Sequence, residues 1–528
     1  MQFDDKHEAN LDGQTEPPRL LLDQYSIEKL GRERPATFPN RWVELSFCFC
    51  LLASELLAEF FISGFNTILP HLTTALDIPQ ESQTWPANVF SLVTGAFILP
   101  AARVAEIYGA RLLFNIGLIW FLLWSFIAGW STNYKMLIVC RALQGLGPSA
   151  FLPTGMMLIG TIYRPGPRKN LVFSLYGAFS PIGFYSGICV GGLSGHYLLW
   201  RWYFWIGSAI TLVVLVVSLL SMPLIRLPHH LSTTNMDWCG CATIVPGLLL
   251  VVFAITDGSH APDGWRTPYI LVTVLAGIAL LCAAFYIEGW VASSPLLPFD
   301  IFKVKYISPL LIALSFSYGV FGIYLFYASF YIQDVLNHDS VIAAVWFAPM
   351  AAGGLILATI GGFTLHLLPG NLLLLISGLG YLISMLLFAI LPQNQNPNYW
   401  AYIFPAMVAA TVGVDIGYSV SNVFITTSLP QNRQSVAGAI INTIVFVGIS
   451  FFLGIADLVV AQTRGLGLGL AGSYKAAFWF GVACSAVAIV LLVLFVRVGK
   501  AASDLTVEER IQIQESRVTG EMGRGVDG

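Results

Sequence analysis

Charge is the property that this sequence has least of. Only 10% of its 528 residues are Asp, Glu, Lys or Arg, whereas 56% are hydrophobic. Because a soluble globular protein carries about 25% charged residues, water cannot cover this chain on all sides. The composition therefore excludes a soluble protein and predicts a polytopic membrane protein, and the net charge of -3 indicates no particular partner.

Motifs typical of several other functions are absent as well. The sequence has no Gly-x-x-x-x-Gly-Lys-Ser/Thr motif for ATP and no Asn-x-Ser/Thr glycosylation sequon, and its polar N-terminal segment is unlike a cleavable signal peptide. Its 8 cysteines are scattered through apolar segments and imply no disulfide framework. The Cys239-x-Cys241 pair lacks the spacing and the histidine of a zinc site, which favours core packing. We expect no enzyme activity, cofactor, metal or nucleic-acid partner.

Apolar runs long enough to be transmembrane helices recur fourteen times. Such a helix needs about 20 apolar residues, and the connections between the runs are too short to hold a soluble domain. The predicted spans are 43–68, 84–104, 111–131, 136–158, 171–193, 203–224, 238–256, 268–287, 307–331, 341–364, 371–392, 399–420, 433–460 and 476–497.

The distribution of basic residues supports an even number of spans. With the N-terminus in the cytosol, 20 Lys and Arg residues fall in cytosolic segments and five in external segments, and Arg141 lies within a span, which accounts for all 26. Cytosolic loops normally carry the excess of Lys and Arg, so we predict that both termini are cytosolic. Residues 1–42 are predicted to form a disordered tail and residues 498–528 a second cytosolic tail.

Three acidic residues lie well inside predicted spans, where an ionisable side chain costs roughly 2.5–3.5 kcal/mol and suggests a functional role. Glu55 and Glu59 are four residues apart in the first span and share a helix face. Two carboxylates this close would share a proton rather than both ionise, which predicts proton handling, above all by Glu59. A polar contact between helices is the alternative. Asp415 in the twelfth span predicts a second proton or cation site, with a packing role as the alternative.

Arg141 is the basic residue inside the fourth span. Arginine stays charged at any relevant pH, so its burial requires an anion or several hydrogen-bond acceptors. We predict an ion pair with a glutamate of the first span, acting as a switch, and Gln144 in the same network. The alternative is a structural pair that only fixes helix packing.

Glycine recurs at every fourth position of the fifth span, at Gly183, Gly187, Gly191 and Gly195, after Pro181. Small residues at this spacing let neighbouring helices approach and slide, and proline interrupts the hydrogen bonds of a helix. The pattern predicts a mobile helix next to the Arg141 segment, or close packing without a functional role.

The predicted turn between the second and third spans is Arg103-Val-Ala-Glu-Ile-Tyr-Gly-Ala-Arg111. Gly109 permits a tight turn, and Glu106 can pair with a basic residue or with a helix N-terminus. For Glu106, Gly109 and Arg111 we consider a conformational gate and a simple charged loop as alternatives.

These segments together resemble the major facilitator superfamily, and within it the fourteen-spanning drug:proton antiporters of fungi. The 102–111 turn is similar to the superfamily motif Gly-x-Leu-x-Asp-Arg-x-Gly-Arg-Arg, with Glu106 and Gly109 at matching positions, although Ala102 and Ile107 depart from it. The 141–147 segment, Arg-Ala-Leu-Gln-Gly-Leu-Gly, resembles the Arg-x-x-Gln-Gly-x-Gly motif that is linked in the family to proton transfer. Residues 177–192 resemble the antiporter motif of the fifth helix.

The resemblance implies an all-α major facilitator fold of two six-helix bundles and two extra helices. The N-terminal bundle would comprise 43–224, the inserted pair with its linkers 225–306, and the C-terminal bundle 307–497. One departure concerns the first span, where Phe61 occupies a position that is often aspartate in the family, with Glu59 two residues earlier. The proton site is therefore displaced, or the coupling ion differs.

The leading functional prediction is secondary active transport by alternating access, with proton-coupled efflux of small organic molecules such as drugs, toxins or secondary metabolites. A carrier of a small ion such as ammonium or borate is the second interpretation, and a non-transporting membrane sensor the third. We expect a monomer in the plasma membrane, or alternatively the vacuolar membrane, with protons and a small molecule as partners. A bulky, partly apolar substrate is suggested by aromatic residues near the expected cavity: Phe60, Phe61, Trp85, Tyr176, Phe184, Tyr185, Tyr318 and Tyr324.

Overall fold

The computed structural model describes residues 32–164, 166–223, 235–364, 368–392, 397–428 and 434–498. Within these ranges, fourteen helices are long and apolar enough to cross a membrane, which confirms the predicted number. Of the predicted tails, residues 1–31 and 499–528 lie outside the described residues. We label the spans α1 to α14, and their bounds are Arg41–Ala75, Gln80–Tyr108, Ala110–Ala128, Tyr134–Ile162, Pro167–His196, Arg201–Ser221, Trp238–Asp257, Pro268–Val291, Ile307–Val335, Ser340–Thr359, Gly370–Ala389, Tyr399–Ile425, Gly438–Gly465 and Leu470–Phe495.

Side-chain caps fix the start of several spans. Asn40, Asn133 and Asp237 precede α1, α4 and α7, and each side chain accepts a hydrogen bond from the backbone N–H three residues later at 2.8–2.9 Å. Each cap satisfies one of the N–H groups that a helix leaves unpaired at its first turn. The start of these helices is thus encoded locally, by a polar residue just before an apolar run.

The helices pack as two groups and one pair. In the first group, α1 packs on α5 and α6, and α4 packs on α2 and α3. In the second group, α9 packs on α13 and α14, and α11 packs on α12 and α14. The inserted pair, α7 and α8, pack on each other, and α7 also contacts α2 and α13. The predicted boundary at residue 225 falls in 224–234, outside the described residues.

The two groups meet mainly through α2 with α13 and α5 with α10. Because the spans alternate in direction, the described chain begins and finishes at the same end of the bundle, which we call the terminal end. We call the opposite end the distal end. Hydrogen bonds join the two groups near the distal end, in the pairs Thr84–Asp457, Asn66–Ser329, Thr67–Gln333, Gly192–Ser340 and Gln80–Arg464.

Candidate functional site

Glu59 lies on α1 where the two groups of helices face each other. It interacts electrostatically with Glu55, one turn earlier on α1, and with Asp415 on α12 of the other group. All three side chains are half-buried. We call Glu55, Glu59 and Asp415 the carboxylate cluster, and they are the three acidic residues that the sequence places well inside predicted spans.

Two of the aromatic residues predicted near the cavity border this cluster. Tyr176 on α5 interacts electrostatically with Glu55. Tyr318 on α9 interacts electrostatically with Glu59 and Asp415, and its hydroxyl donates to the carbonyl of Val414 at 3.5 Å. The cluster therefore has aromatic walls from both groups of helices.

Two further tyrosines at the cluster were missed by sequence reasoning. Tyr418 interacts with both glutamates, and Tyr381, which is 2% exposed, interacts with Asp415. The Tyr381 hydroxyl and Asp415 Oδ2 are buried and have no hydrogen-bond partner among the described residues. Tyr418 lies three residues after Asp415, and this helical spacing was the signal that could have identified it.

Other members of the predicted aromatic set lie elsewhere. Phe60, Phe61 and Tyr324 are at most 1% exposed and pack inside their own groups of helices. Phe184 meets Phe321 across the two groups, with ring centroids 6.0 Å apart. Apolar and aromatic residues in a span are most often core, and Phe60, Phe61 and Tyr324 follow this rule.

Arg141 is only 1% exposed and is surrounded by acceptors. Its Nε donates to the carbonyl of Pro86 at 3.2 Å, and one terminal nitrogen donates to the carbonyl of Phe61 at 3.2 Å. The other terminal nitrogen donates to Oε1 of Gln144 at 2.7 Å, as in the predicted network. Nε2 of Gln144 donates in turn to Ser125 at 2.6 Å. Two side chains of α4, Arg141 and Gln144, thereby tie this helix to α1, α2 and α3.

The predicted ion pair between Arg141 and a glutamate of α1 is not formed. In the described chain, the salt bridges within 4.0 Å do not include Arg141. Its guanidinium carbon instead lies 4.1 Å from the ring centre of Phe65 and 4.3 Å from that of Phe90. Aromatic faces attract a cation, so two rings and three acceptors replace the expected anion.

The glycine stripe of α5 faces neighbouring helices at very short distances. A Cβ on Gly183 would overlap the backbone of Leu56, and a Cβ on Gly187 would overlap the backbone of Phe60. These two α1 residues directly follow the two glutamates of the cluster in the sequence. The remaining members of the stripe face Gly64 and Ser340 and are Gly191 and Gly195.

Pro181 of α5 lies against Gly354 of α10, beside the carboxylate cluster. A Cβ on Gly354 would be 2.6 Å from the Pro181 side chain and 3.2 Å from Oδ2 of Asp415. The α5–α10 contact between the two groups therefore passes directly next to Asp415.

The turn between α2 and α3 lies at the terminal end. Gly109 has a φ of 102°, a conformation that favours glycine. Glu106 is 5% exposed and accepts a hydrogen bond from Arg103 at 2.7 Å, so it pairs with a basic residue of its own helix. Arg111 is half-buried.

The carboxylate cluster does not have the geometry of a metal centre. Among the described residues, no group of three His, Cys, Asp or Glu could hold a metal ion. Glu59 is close enough to Glu55 and Asp415 to interact electrostatically with both.

The sequence matches the family model of the Major Facilitator Superfamily over residues 51–453. The chain therefore belongs to the major facilitator superfamily and is a membrane transporter, not an enzyme. It is 30% identical over 478 residues to the efflux pump terJ of Aspergillus terreus, covering 89% of this chain and 90% of the pump. It is 30% identical over 477 residues to the low affinity ammonium transporter of Saccharomyces cerevisiae, again covering 89% of this chain and 90% of the relative.

Two other comparisons agree with this family. The aminotriazole resistance protein of Saccharomyces cerevisiae is 28% identical over 470 residues, covering 88% of this chain and 86% of that protein. The solved structure of an auto-inhibited POT family peptide transporter matches with a TM-score of 0.63 at 14% identity, covering 87% of this chain and 99% of that one. The predicted superfamily and fold class are confirmed.

Proposed function

We propose that this transporter is a proton-coupled exporter of small organic molecules. The observation that supports the proposal best is the position of Glu59, which faces Glu55 on its own helix and Asp415 on the other group of helices. In the described part of the chain, no salt bridge joins any of these three to a basic residue. Unpaired carboxylates in a low-dielectric site repel one another, so the cluster favours the uptake of one positive charge.

Competition for the carboxylate cluster converts a proton gradient into export. A proton that arrives from the distal side neutralises the cluster and releases a substrate that carries a positive charge. A new substrate molecule that arrives from the terminal side displaces the proton. Tyr176, Tyr318, Tyr381 and Tyr418 supply aromatic faces and hydroxyl groups for an organic cation.

Arg141 enters this mechanism through the backbone. It holds the carbonyl of Phe61, two residues after Glu59, and it also holds the carbonyl of Pro86 on α2. A shift of α1 that follows protonation of Glu59 is therefore transmitted to α2 and α4. This replaces the direct release of Arg141 by Glu59 that the sequence suggested.

Alternating access follows from the contacts between the two groups. The hydrogen bonds at the distal end hold that end closed, and α5 can slide on α1 along the glycine stripe, with Pro181 as the contact with α10. At the terminal end, the turn with Glu106, Gly109 and Arg111 acts as the gate. We place both termini in the cytosol and propose a monomer in the plasma membrane.

A second candidate function is the transport of ammonium. It is favoured by the same cluster, because carboxylates and tyrosines suffice to bind a small cation, and by the similarity to a low affinity ammonium transporter. The two candidates differ in the size of the cation and agree on the site.

Transport into proteoliposomes that contain the purified full-length protein tests both candidates. With an imposed pH gradient, we expect ethidium, an organic cation, to accumulate against its own gradient and to be released when a protonophore is added. Accumulation of methylammonium without ethidium would favour the second candidate. Ethidium transport that does not depend on the pH gradient would contradict proton coupling.

A further inference from the structure

The connection between α7 and α8 lies at the distal end and contacts the second group of helices. His260 in this connection bonds through Nε2 to Oδ2 of Asp457 on α13 at 2.8 Å. The other oxygen of Asp457 accepts a hydrogen bond from Thr84, at the start of α2, at 2.7 Å. One carboxylate is thus held by the first group of helices on one side and by the inserted pair on the other.

Near the distal end, α7 packs between α2 and α13 through further contacts. Asn88 of α2 donates to Thr256 of α7 at 3.1 Å, and the rings of Trp85 and Phe253 lie 5.4 Å apart. A Cβ on Gly454 of α13 would be 2.6 Å from Oγ1 of Thr256. The α2–α13 interface cannot open at the distal end unless α7 loses its contacts with α2 or its contacts with α13.

We propose that the inserted helix pair is a proton-controlled clasp, in which protonated His260 grips Asp457 and keeps the distal end of the transporter closed. The two partners are 13% and 9% exposed, so the pair is shielded from solvent but lies close enough to the distal surface to exchange protons. The clasp is separate from the carboxylate cluster, and it would set the distal gate whatever the substrate is.

The charges around the pair determine the direction of the pH response. Burial lowers the pKa of His260, but the hydrogen bond and charge of Asp457, with Asp257 and Glu81 nearby, outweigh burial and raise it. Tyr327 and Tyr474 interact electrostatically with Asp457, and Arg464 interacts with both tyrosines. A histidine whose pKa is raised by a partner stabilises the contact below its ordinary pKa of about 6.5 and loses that stabilisation as the pH rises through the raised value. Acid should therefore close the distal end, and alkali should release it.

The test measures distal opening directly in the full-length protein in nanodiscs. Dyes attached through unnatural amino acids at Leu199 and Leu466, both exposed at the distal end, report the separation of the two groups by single-molecule energy transfer. In the unmodified protein we expect the distal-open fraction to rise at least about threefold between pH 6 and pH 8.5, since one linked proton can change an equilibrium by up to about tenfold per pH unit.

Two histidine variants decide the outcome. His260→Gln keeps a hydrogen-bonding side chain without the charge, so its distal-open fraction should be high at both pH values, with no rise above about 1.5-fold. His71→Gln changes an exposed histidine at the same end and should keep the full response. Three results would each overturn the proposed clasp: a full pH response of the distal-open fraction in His260→Gln, an equal loss of that response in His71→Gln, or no pH response in the parent protein.

A variant of Thr84, which bonds to the other oxygen of Asp457, provides an independent check. Thr84→Val removes the hydroxyl that ties α2 to Asp457 but leaves His260 and Asp457 in place. We expect a larger distal-open fraction at pH 6, with the pH response preserved. A fraction equal to that of the parent protein at pH 6 would show that α2 is not held through Asp457.

Discussion

Arg141 illustrates at the residue scale how a charge is stabilised inside a membrane protein without a carboxylate. The sequence predicted that Arg141 needs hydrogen-bond acceptors. The structure supplies two backbone carbonyls and Gln144 as acceptors, and two aromatic faces lie against the guanidinium group. Backbone carbonyls carry no sequence signature, so the nature of the partners could not be predicted. The position of Gln144 one helical turn away could be predicted, because it follows from helix geometry.

Replacement of Arg141 tests the importance of this network for stability. Arg141→Met would leave Oε1 of Gln144 buried without its donor, which should lower the free energy of unfolding by about 1–3 kcal/mol. Arg266, which is exposed at the distal end, provides the control, since Arg266→Met should change the free energy of unfolding by less than about 0.5 kcal/mol. Chemical unfolding of the purified variants in detergent measures both. Equal stability of the two variants would contradict a buried network.

The three carboxylates were found by one rule, that ionisable groups inside a membrane are costly and therefore functional. Sequence alone could not show that Asp415 lies beside Glu59, because that contact depends on how the two groups of helices meet. Tyr381 was not predicted at all. Its hydroxyl is distinctive only through burial without a partner, which no sequence pattern reveals.

At the scale of elements, hydropathy predicted every span but not every helix end. The predicted end of α1 is residue 68, whereas the helix runs to Ala75. The additional residues include Pro70 and the polar residues after it, which hydropathy does not assign to a span. The hydroxyl of Thr73 donates to the carbonyl of Pro70 at 2.7 Å. Hydropathy locates the hydrocarbon layer, whereas backbone hydrogen bonds decide where the helix stops.

The packing of α5 on α1 yields a prediction with a matched control on the same helix. Gly187→Ala places a methyl group into the backbone of Phe60 and within 2.8 Å of Ser63, so it should lower the free energy of unfolding by about 1–3 kcal/mol. Gly177 has nothing within 4 Å of its Cβ position. Gly177→Ala should instead be neutral or stabilise the helix by up to about 1 kcal/mol.

Chemical unfolding of both glycine variants checks this prediction, and transport gives a second measurement. If α5 slides along the stripe, Gly187→Ala should also slow export, while Gly177→Ala should not. Equal stability of the two variants would contradict the close α1–α5 packing.

At the scale of the whole molecule, the sequence predicts the orientation through its basic residues, and the structure predicts which residues are accessible at each end. Asp263 and Lys305 are both exposed, the first at the distal end and the second near the terminal end. With cytosolic termini, Asp263→Cys should react with a membrane-impermeant maleimide in intact cells. Lys305→Cys should react only after permeabilisation, above the background of the native cysteines. The reverse pattern would invert the topology.

The division into two groups was implied by the resemblance to the major facilitator superfamily, but the way in which the two groups meet could not be predicted. The α2–α13 and α5–α10 contacts bring together residues that are far apart in the sequence, among them Thr84 with Asp457 and Pro181 with Gly354. Small side chains and single hydrogen bonds determine such contacts, and they leave no periodic pattern in a sequence. The distal clasp was invisible to sequence reasoning for the same reason.

The most direct test of proton coupling compares two transport modes of Glu59→Gln in proteoliposomes. Ethidium exchange at equal pH needs the cavity and alternating access but no net proton movement. Accumulation driven by a pH gradient needs the cavity, alternating access and net proton movement. We expect Glu59→Gln to retain exchange within about twofold and to lose driven accumulation at least about tenfold, or 1.4 kcal/mol of coupling free energy. Glu33→Gln, at an exposed position of the terminal end, should retain both modes. If Glu59→Gln kept full pH-driven accumulation, the central role of the carboxylate cluster would be wrong.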